Sequence, residues 1–591
     1  MSDVTRFLWT IAKILLDFFY WISIEKKSGF ERFTVHPDYN LPLTKWVLLK
    51  SIQSSFLTGK TKFQLKDRIQ ESIEITMKGY PEGWDMLSLE PYYLKSAGVF
   101  GVIVDFNFRK KPEIPFSRAV QKRSLSLTSQ FRRNFNFHLD KLARITTYLN
   151  LVRDSLNATK LPGNENTVAF SRDFLSIPVS QLNYRRYRFG GNSEHVSQYA
   201  GVKEYGPFFK PAVPTKLIFA FLPENRQSAV RFVSALTGRK NLGGFQGYEK
   251  LFRTQVEVDP TPVTLSDFSS EEIERVLQRV HADDPNPLAV FILPDDDEER
   301  YFKIKAAFAA AGVPNQACRV QTISSDDDLK WSIANLGLQI FCKSGGQPWQ
   351  VRAETSEALI VGISQSHKIS DSGNIERFFA FSVLTDNSGV FKSIRVLADS
   401  SDHTQYINAL KETLSEELRI ASHDYQRVAI HASFKLRVEE MAAIEDVVRG
   451  ASEQHRGRGF SVLKINQITR FFGTNPEVNS LVPYEGSLTR LGGNEFLVWF
   501  EGIERARKTA AKAYPGPTHV QVLWKSSGDQ TSDEDLVQDL MTLSGANWRG
   551  FNARSSPVSV YYCQLVAKLV HDFQIRQLSL PSVEGLSPWF L

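Results

Sequence analysis

From residue 211 onward, short apolar runs alternate with amphipathic stretches. Leu217-Ile-Phe-Ala-Phe-Leu222 leads into a helical pattern over 226–236, and Leu288-Ala-Val-Phe-Ile-Leu293 into another over 298–311. Arg319-Val-Gln-Thr-Ile323 reads as a third strand before a helix over 329–342. Repeated strand–helix units of this kind predict a doubly wound parallel sheet. Gly345-Gly-Gln-Pro348 breaks the pattern. Beyond it, strands are expected over 358–363, 378–384, 393–397, 428–431, 461–465, 495–500 and 519–523. Helices are expected over 404–420, 437–449, 533–544 and 559–572, giving a second mixed α/β layer.

The N-terminal part is different. Residues 7–24 are apolar except for Thr10, Lys13, Asp17 and Tyr20, which recur every three or four residues. They form one polar stripe on an otherwise apolar helix. Lys13 and Asp17 fall near mid-span, where each charge costs a bilayer helix about 3 kcal/mol. The stretch is read as a helix docked on protein, with membrane contact through 7–24 as the alternative. A loop over 36–43, a helical stretch and an alternating strand over 98–108 follow. The expected division is an N-terminal mixed α+β domain over 1–115, a linker region over 116–212, and α/β domains over 213–347 and 348–591.

Charge sharpens this picture. The 591 residues hold 71 Lys/Arg and 65 Asp/Glu, a net charge of +6. Residues 101–210 alone carry 18 basic and 8 acidic residues, or +10, so the rest is slightly acidic. That field suits a polyanion. The basic stretches include Gln121-Lys-Arg, Phe131-Arg-Arg-Asn-Phe135 and Tyr184-Arg-Arg-Tyr-Arg-Phe-Gly190. In the last, Arg185, Arg186 and Arg188 interleave with rings able to stack on bases, a texture also normal for strands with long arginine stems. The acidic run Asp295–Glu299 opens a helix and suits its dipole. Three cysteines, Cys318, Cys342 and Cys563, fit no disulfide framework or zinc spacing. With no basic n-region at the start, they predict a cytoplasmic protein. No phosphate-binding G-x-x-x-x-G-K-[ST] loop, H-E-x-x-H or G-x-S-x-G motif is present.

Several segments converge on one family. These are Leu329-Lys-Trp-Ser-Ile-Ala-Asn-Leu336, Lys343-Ser-Gly-Gly-Gln-Pro-Trp349, Leu359-Ile-Val-Gly-Ile363, Pro517-Thr-His-Val-Gln-Val-Leu523 and Asn547-Trp-Arg-Gly-Phe-Asn-Ala-Arg554. In this order they resemble the MID and PIWI domains of prokaryotic Argonautes. Gly101-Val-Ile-Val-Asp-Phe106 and Tyr205-Gly-Pro-Phe208 resemble the N and linker regions more weakly, with no room for a full PAZ domain between them. The resemblance implies a Rossmann-like MID domain and an RNase H-like PIWI domain. It also implies a pocket for the 5′ end of a guide strand. Tyr301 would stack on the first base, and Lys305, Gln316 and Lys343 would donate to the 5′-phosphate. The carboxylate of Leu591 would help hold a structural Mg²⁺ against that phosphate.

Cleaving members of the family hold two divalent ions on a carboxylate tetrad. Here Ser364, Ser433 and Gln564 occupy three tetrad positions, and none of Asp399, Asp402 or Glu412 stands out as the glutamate finger. Neutral side chains cannot offset two divalent charges, so the expectation is a catalytically inactive, non-enzymatic chain. His367 and His431 read as structural. An active nuclease with rearranged ligands, such as Glu357 or Asp371, is the alternative. The family reading implies an RNA or DNA guide, RNA being expected, and a complementary DNA target. It further implies host defence through a separate effector: a nuclease, a membrane protein or an NAD-consuming enzyme.

Overall fold

The computed structural model describes residues 28, 39–57, 63–66, 72–161, 167–282, 286–294, 298–369, 375–399, 403–420, 425–454, 458–504, 516–578 and 588–591. The apolar stretch 7–24, Asp295–Asp297, Asp371 and Asp402 lie outside these residues. So do the side chains of His367 and Asp399. Among the described residues, no helix is long and apolar enough to cross a membrane.

Contacts divide the chain into two compact units. The first comprises 1–178, 470–483 and 490–493, and the second the remainder. The expected boundaries near 212 and 347 fall inside the second unit.

The first unit is an antiparallel four-stranded sheet, Phe63–Lys66, Ser72–Tyr80, Gly83–Leu94 and Val99–Lys110, in sequential order. Alternation explains its buried face. Ile73, Ile75, Leu87, Leu89 and Phe106 point one way and pack on Ile52 and Phe56 of the helix Leu41–Leu57. Ile145, Tyr148 and Val152 of Phe137–Asn157 close the same core.

The second unit contains a parallel sheet and a large mixed sheet. The parallel sheet has the path Val263–Thr264, Thr215–Phe221, Pro287–Leu293, Asn315–Arg319, with Val256–Val258 beside Thr215–Phe221. This is the doubly wound arrangement expected from the alternating pattern. One strand is shifted: Asn315–Arg319 is the strand, and Val320–Ile323 begins a helical turn. The β-branched run 319–323 suggested a strand, but Ile323 is needed in the helical layer, where it is buried. The helix Ser270–Ala282 was not expected; its Ile273, Val276, Leu277 and Val280 line the other side of the sheet.

The mixed sheet has nine strands. Their order is Phe391–Asp399, Ile375–Asp386, Ala358–Ile369, Arg427–Ala432, Gly459–Asn466, Thr518–Lys525, Glu495–Val498, Ser487–Gly492, Ser180–Gln181. The central strands 358–369, 427–432 and 459–466 run parallel. Even-numbered Ile360 and odd-numbered Ala429 face the core under the last helix, Val558–Ile575, while Val361 and Ile430 face the helices His403–Ile420 and Val438–Gln454. Gly362 permits the last helix to lie against the sheet, because a Cβ there would meet the Ser559 carbonyl oxygen at 2.0 Å. Cys563 donates from Sγ to the Gly362 carbonyl at 3.2 Å, and His431 Nδ1 bonds Ser559 Oγ at 2.9 Å. Burial pushes the His431 imidazole down to about 3, so it is a neutral structural group at working pH. Gly362→Ala is expected to destabilise the second unit by about 1–3 kcal/mol through overpacking, read as a lower thermal midpoint.

Candidate anion pocket and serine pair

The helix Glu298–Ala310 places Tyr301 and Lys305 on one face, one turn apart. The next strand, Asn315–Arg319, supplies Gln316. Lys343 ends the helix Asp326–Lys343, whose Ser325 cap and acidic first turn fix its start. The four residues singled out in the sequence therefore come together, and the segment Pro588–Leu591 closes the group. Lys305 Nζ donates to the carbonyls of Asn315 and Trp589, each at 3.2 Å. Trp589, Phe590 and Leu591 are all buried.

Lys305 and Lys343 are each only 2% exposed. Burial pushes the Lys305 ammonium down to about 8, with Arg549 acting in the same direction. Burial first, then the Lys305 charge, hold Lys343 well below the ordinary lysine range. The Lys305 charge disfavours that of Lys343, while the hydrogen bond to Lys343 favours the Lys305 ammonium, and an anion brought between them favours both charges. Tyr301 packs edge-on against Phe302, with ring centroids 5.2 Å apart, and burial raises its phenol.

Gln316 is engaged by three protein partners. Its Oε1 accepts from Lys343 Nζ at 2.8 Å, while Nε2 donates to Ala317 O at 3.0 Å and to Gln339 Oε1 at 3.3 Å. In this arrangement Gln316 positions Lys343 and spends its own hydrogens elsewhere. Gln339 in turn donates to Arg549 O at 3.0 Å. Sequence reasoning missed Gln339 and Arg549. Gln339 sits one helical turn before Lys343, so i,i+4 spacing was the available signal. Arg549 stands inside the Asn547–Arg554 motif without a spacing of its own.

Three predicted channel arginines separate. Arg185 is a correction: it is buried, donating to Phe500 O at 3.1 Å and Ser544 Oγ at 2.5 Å, and pairing with Glu485 at 2.8 Å. The alternating pattern Tyr184–Phe189 turns it inward, where its fork ties loop to core. Arg186 and Arg188 are on the surface, and with Arg352 they share one carboxylate, Glu194.

Ser364 and Ser433 meet. Their Oγ atoms are 3.0 Å apart, Ser364 midway along Ala358–Ile369 and Ser433 just past the end of the adjacent parallel strand Arg427–Ala432. Gln564 is exposed on the last helix. Glu357 precedes the same strand that bears Ser364 seven residues on, a separation of about 20 Å. That excludes it as a replacement ligand at the serine pair. Glu412 is exposed on His403–Ile420. Among the described residues no group of three or more His, Cys, Asp or Glu side chains is arranged to hold a metal.

Residues 288–574 match the family model of the Piwi domain. A Piwi protein of Archaeoglobus fulgidus is 24% identical over 323 residues, covering 51% of this chain and 74% of that protein. Two solved structures share the fold. Clostridium butyricum Argonaute, bound to a guide DNA and a 19-mer target DNA, superposes with a TM-score of 0.63 at 13% identity, covering 93% of this chain and 88% of that one. Marinitoga piezophila Argonaute, in complex with a 5′ OH guide RNA, gives 0.64 at 12% identity, covering 92% and 88%.

Proposed function

We propose that this Argonaute-like chain, with its Piwi domain over residues 288–574, binds a guide strand by its 5′ end and pairs it with a complementary strand without cutting it. The observation that carries this reading is the pair of buried lysines, Lys305 and Lys343, with Lys343 positioned by Gln316 and Arg549 close by. A phosphate monoester brings close to two negative charges and three acceptor oxygens, which suits two neighbouring cations. Tyr301, one turn before Lys305, supplies a ring for the first base. Sequence would be read by base pairing and the strands gripped through their phosphates.

The donor set also fits a divalent ion, but only together with a phosphate. The resemblance brings the Leu591 carboxylate to such an ion, and buried Leu591 lies two residues from Trp589, whose carbonyl accepts from Lys305. Mg²⁺ takes oxygen ligands and binds through few carboxylates plus substrate phosphates. When bound it would neutralise phosphate charge beside the two lysines.

Absence of cleavage is supported by the serine pair, since hydroxyls cannot balance two divalent cations. An RNA guide, a DNA target and defence through a separate effector are the finer parts of the proposal, and they rest on resemblance alone. The deciding experiment purifies the protein from its native host and treats its bound nucleic acid with RNase and with DNase before sequencing. Short RNAs of uniform length with a biased 5′ end are expected. Short DNAs reverse the guide chemistry. An absence of bound nucleic acid, with no affinity for 5′-phosphorylated oligonucleotides, defeats the reading. Manganese-dependent cutting of a guide-matched target defeats its non-cleaving part.

Preference for a 5′-phosphate should also depend on pH. Lys305 loses its proton near pH 8. The affinity ratio of 5′-phosphate to 5′-hydroxyl strands should fall as pH rises through that value, by up to about tenfold per unit. Stability of the protein alone moves the other way. The folded pKa lies below the unfolded one, so the unfolded state holds more protons between about pH 8 and pH 10.4 and stability rises across that window. Titrating binding and melting together checks both signs.

A further inference from the structure

The basic segment singled out in the sequence includes Phe131-Arg-Arg-Asn-Phe135, which the guide pocket does not use. Its structure is a short, well-tied hairpin in the first unit. Leu127 and Arg133 bridge. Across the turn, Thr128 N donates to Arg132 O at 2.7 Å and Phe131 N to Thr128 O at 3.0 Å. Arg132 N donates to Thr128 Oγ1 at 3.3 Å. Below the turn, buried Asn134 donates from Nδ2 to Leu125 O at 3.0 Å and to Asp140 Oδ2 at 2.8 Å, fastening the hairpin to the helix Phe137–Asn157.

This anchoring holds two rings outward. Phe131 is 43% exposed and Phe135 67% exposed. Phe131 is held at φ +57°, a left-handed conformation unfavourable for a bulky side chain. A bulky ring kept in that state at a partly exposed tip is local strain of the kind that collects at binding sites. Each ring has a cation nearby. Lys122 Nζ lies 5.5 Å from the Phe131 centroid, and the Arg133 guanidinium 5.7 Å from that of Phe135. Residues 117–137 contain Arg118, Lys122, Arg123, Arg132 and Arg133 and no Asp or Glu. Arg123 is committed to Glu82. A rigid mount presenting π faces beside cations is the chemistry that binds single-stranded nucleic acid, where each base offers a face and each linkage a negative charge.

We propose that hairpin 126–135 is a second nucleic-acid site, on which Phe131 and Phe135 stack unpaired bases while Lys122, Arg132 and Arg133 meet the flanking phosphates. It extends the guide-binding reading to a contact independent of the 5′ end.

The test uses the full chain carrying Lys305→Met and Lys343→Met, so that residual binding reports on sites other than the pocket. Two 5′-hydroxyl probes of equal length are compared, an oligothymidine and its abasic counterpart. Phe131→Ala with Phe135→Ala should weaken oligothymidine binding by about 5- to 100-fold. Abasic binding and the salt slope should stay unchanged. Arg132→Gln with Arg133→Gln should weaken both probes and lower the salt slope by about one to two. Phe131→Gly separates binding from folding. It relieves the left-handed strain, so its thermal midpoint should equal or exceed the parent's while oligothymidine binding still falls. Unchanged oligothymidine affinity in the double-Phe variant overturns the hairpin site, as does equal loss for the abasic probe. A parent that binds neither probe overturns it too. Loading of a 5′-phosphorylated guide by the unmodified protein judges the pocket separately.

Discussion

Replacing Lys305 and Lys343 together with methionine should reduce binding of a 5′-phosphorylated oligonucleotide by at least about a hundredfold, yet leave the protein as stable as before or more so. Each lysine offers a charge-assisted hydrogen bond worth about 1.5–3 kcal/mol. Losing two amounts to about 3–6 kcal/mol, or about two to four powers of ten in affinity. Stability should not follow. Both ammonium groups are buried, and burial penalises their charged forms. Methionine keeps the length and removes that penalty, which offsets the loss of the bonds to Asn315, Trp589 and Gln316. Binding of the 5′-hydroxyl strand should change little. If phosphorylated and hydroxyl strands lose affinity equally, or if the variant unfolds, the two lysines are structural and the pocket assignment fails.

Arg427 should show the opposite behaviour: a large loss of stability with no selective loss of 5′-phosphate binding. It pairs with Asp539 inside the second unit, both almost fully buried. Around them Thr355 Oγ1 donates to Asp539 Oδ1 at 2.5 Å, and Asn387 Nδ2 donates to Ser356 O at 2.9 Å. Arg427 Nη2 also donates to Ser356 O at 3.1 Å. The network joins the helix Asp533–Leu543 to the start of the central strands. Arg427→Met strands a buried carboxylate and should cost about 3–5 kcal/mol. Adding Asp539→Leu should recover much of that loss, because an apolar pair leaves no unpaired charge. Chemical denaturation of the single and double variants measures this, and a single variant that melts like the parent refutes it.

These contrasts show what the sequence made legible. The parallel sheet could be read because its two central strands, Thr215–Phe221 and Pro287–Leu293, are apolar runs buried on both faces. The pocket residues could be found because helical spacing and motif order fixed Tyr301, Lys305 and Lys343. Their energetic state could not be read, since burial of Lys305 depends on Trp589, 284 residues away in the chain. Arg185 was misjudged for a related reason. Its inward turn is set by Glu485, Phe500 and Ser544, none of them local. The hairpin Ser72–Leu94 in the first unit was also overlooked, although Ile73, Ile75, Leu87 and Leu89 alternate as a half-buried sheet should. The serine pair could be matched by motif position, but only the fold shows that the two hydroxyls satisfy each other.

That last contact bears on what holds the centre of the mixed sheet together. Two carboxylates 3 Å apart repel unless a proton or a divalent ion sits between them, so a cleaving centre ties local stability to ion supply. Ser364 and Ser433 close the same gap with a single hydrogen bond of 3.0 Å that is insensitive to chelators. On the non-cleaving reading proposed above, the sheet centre at this point is held by a neutral contact that needs no ion to offset charge.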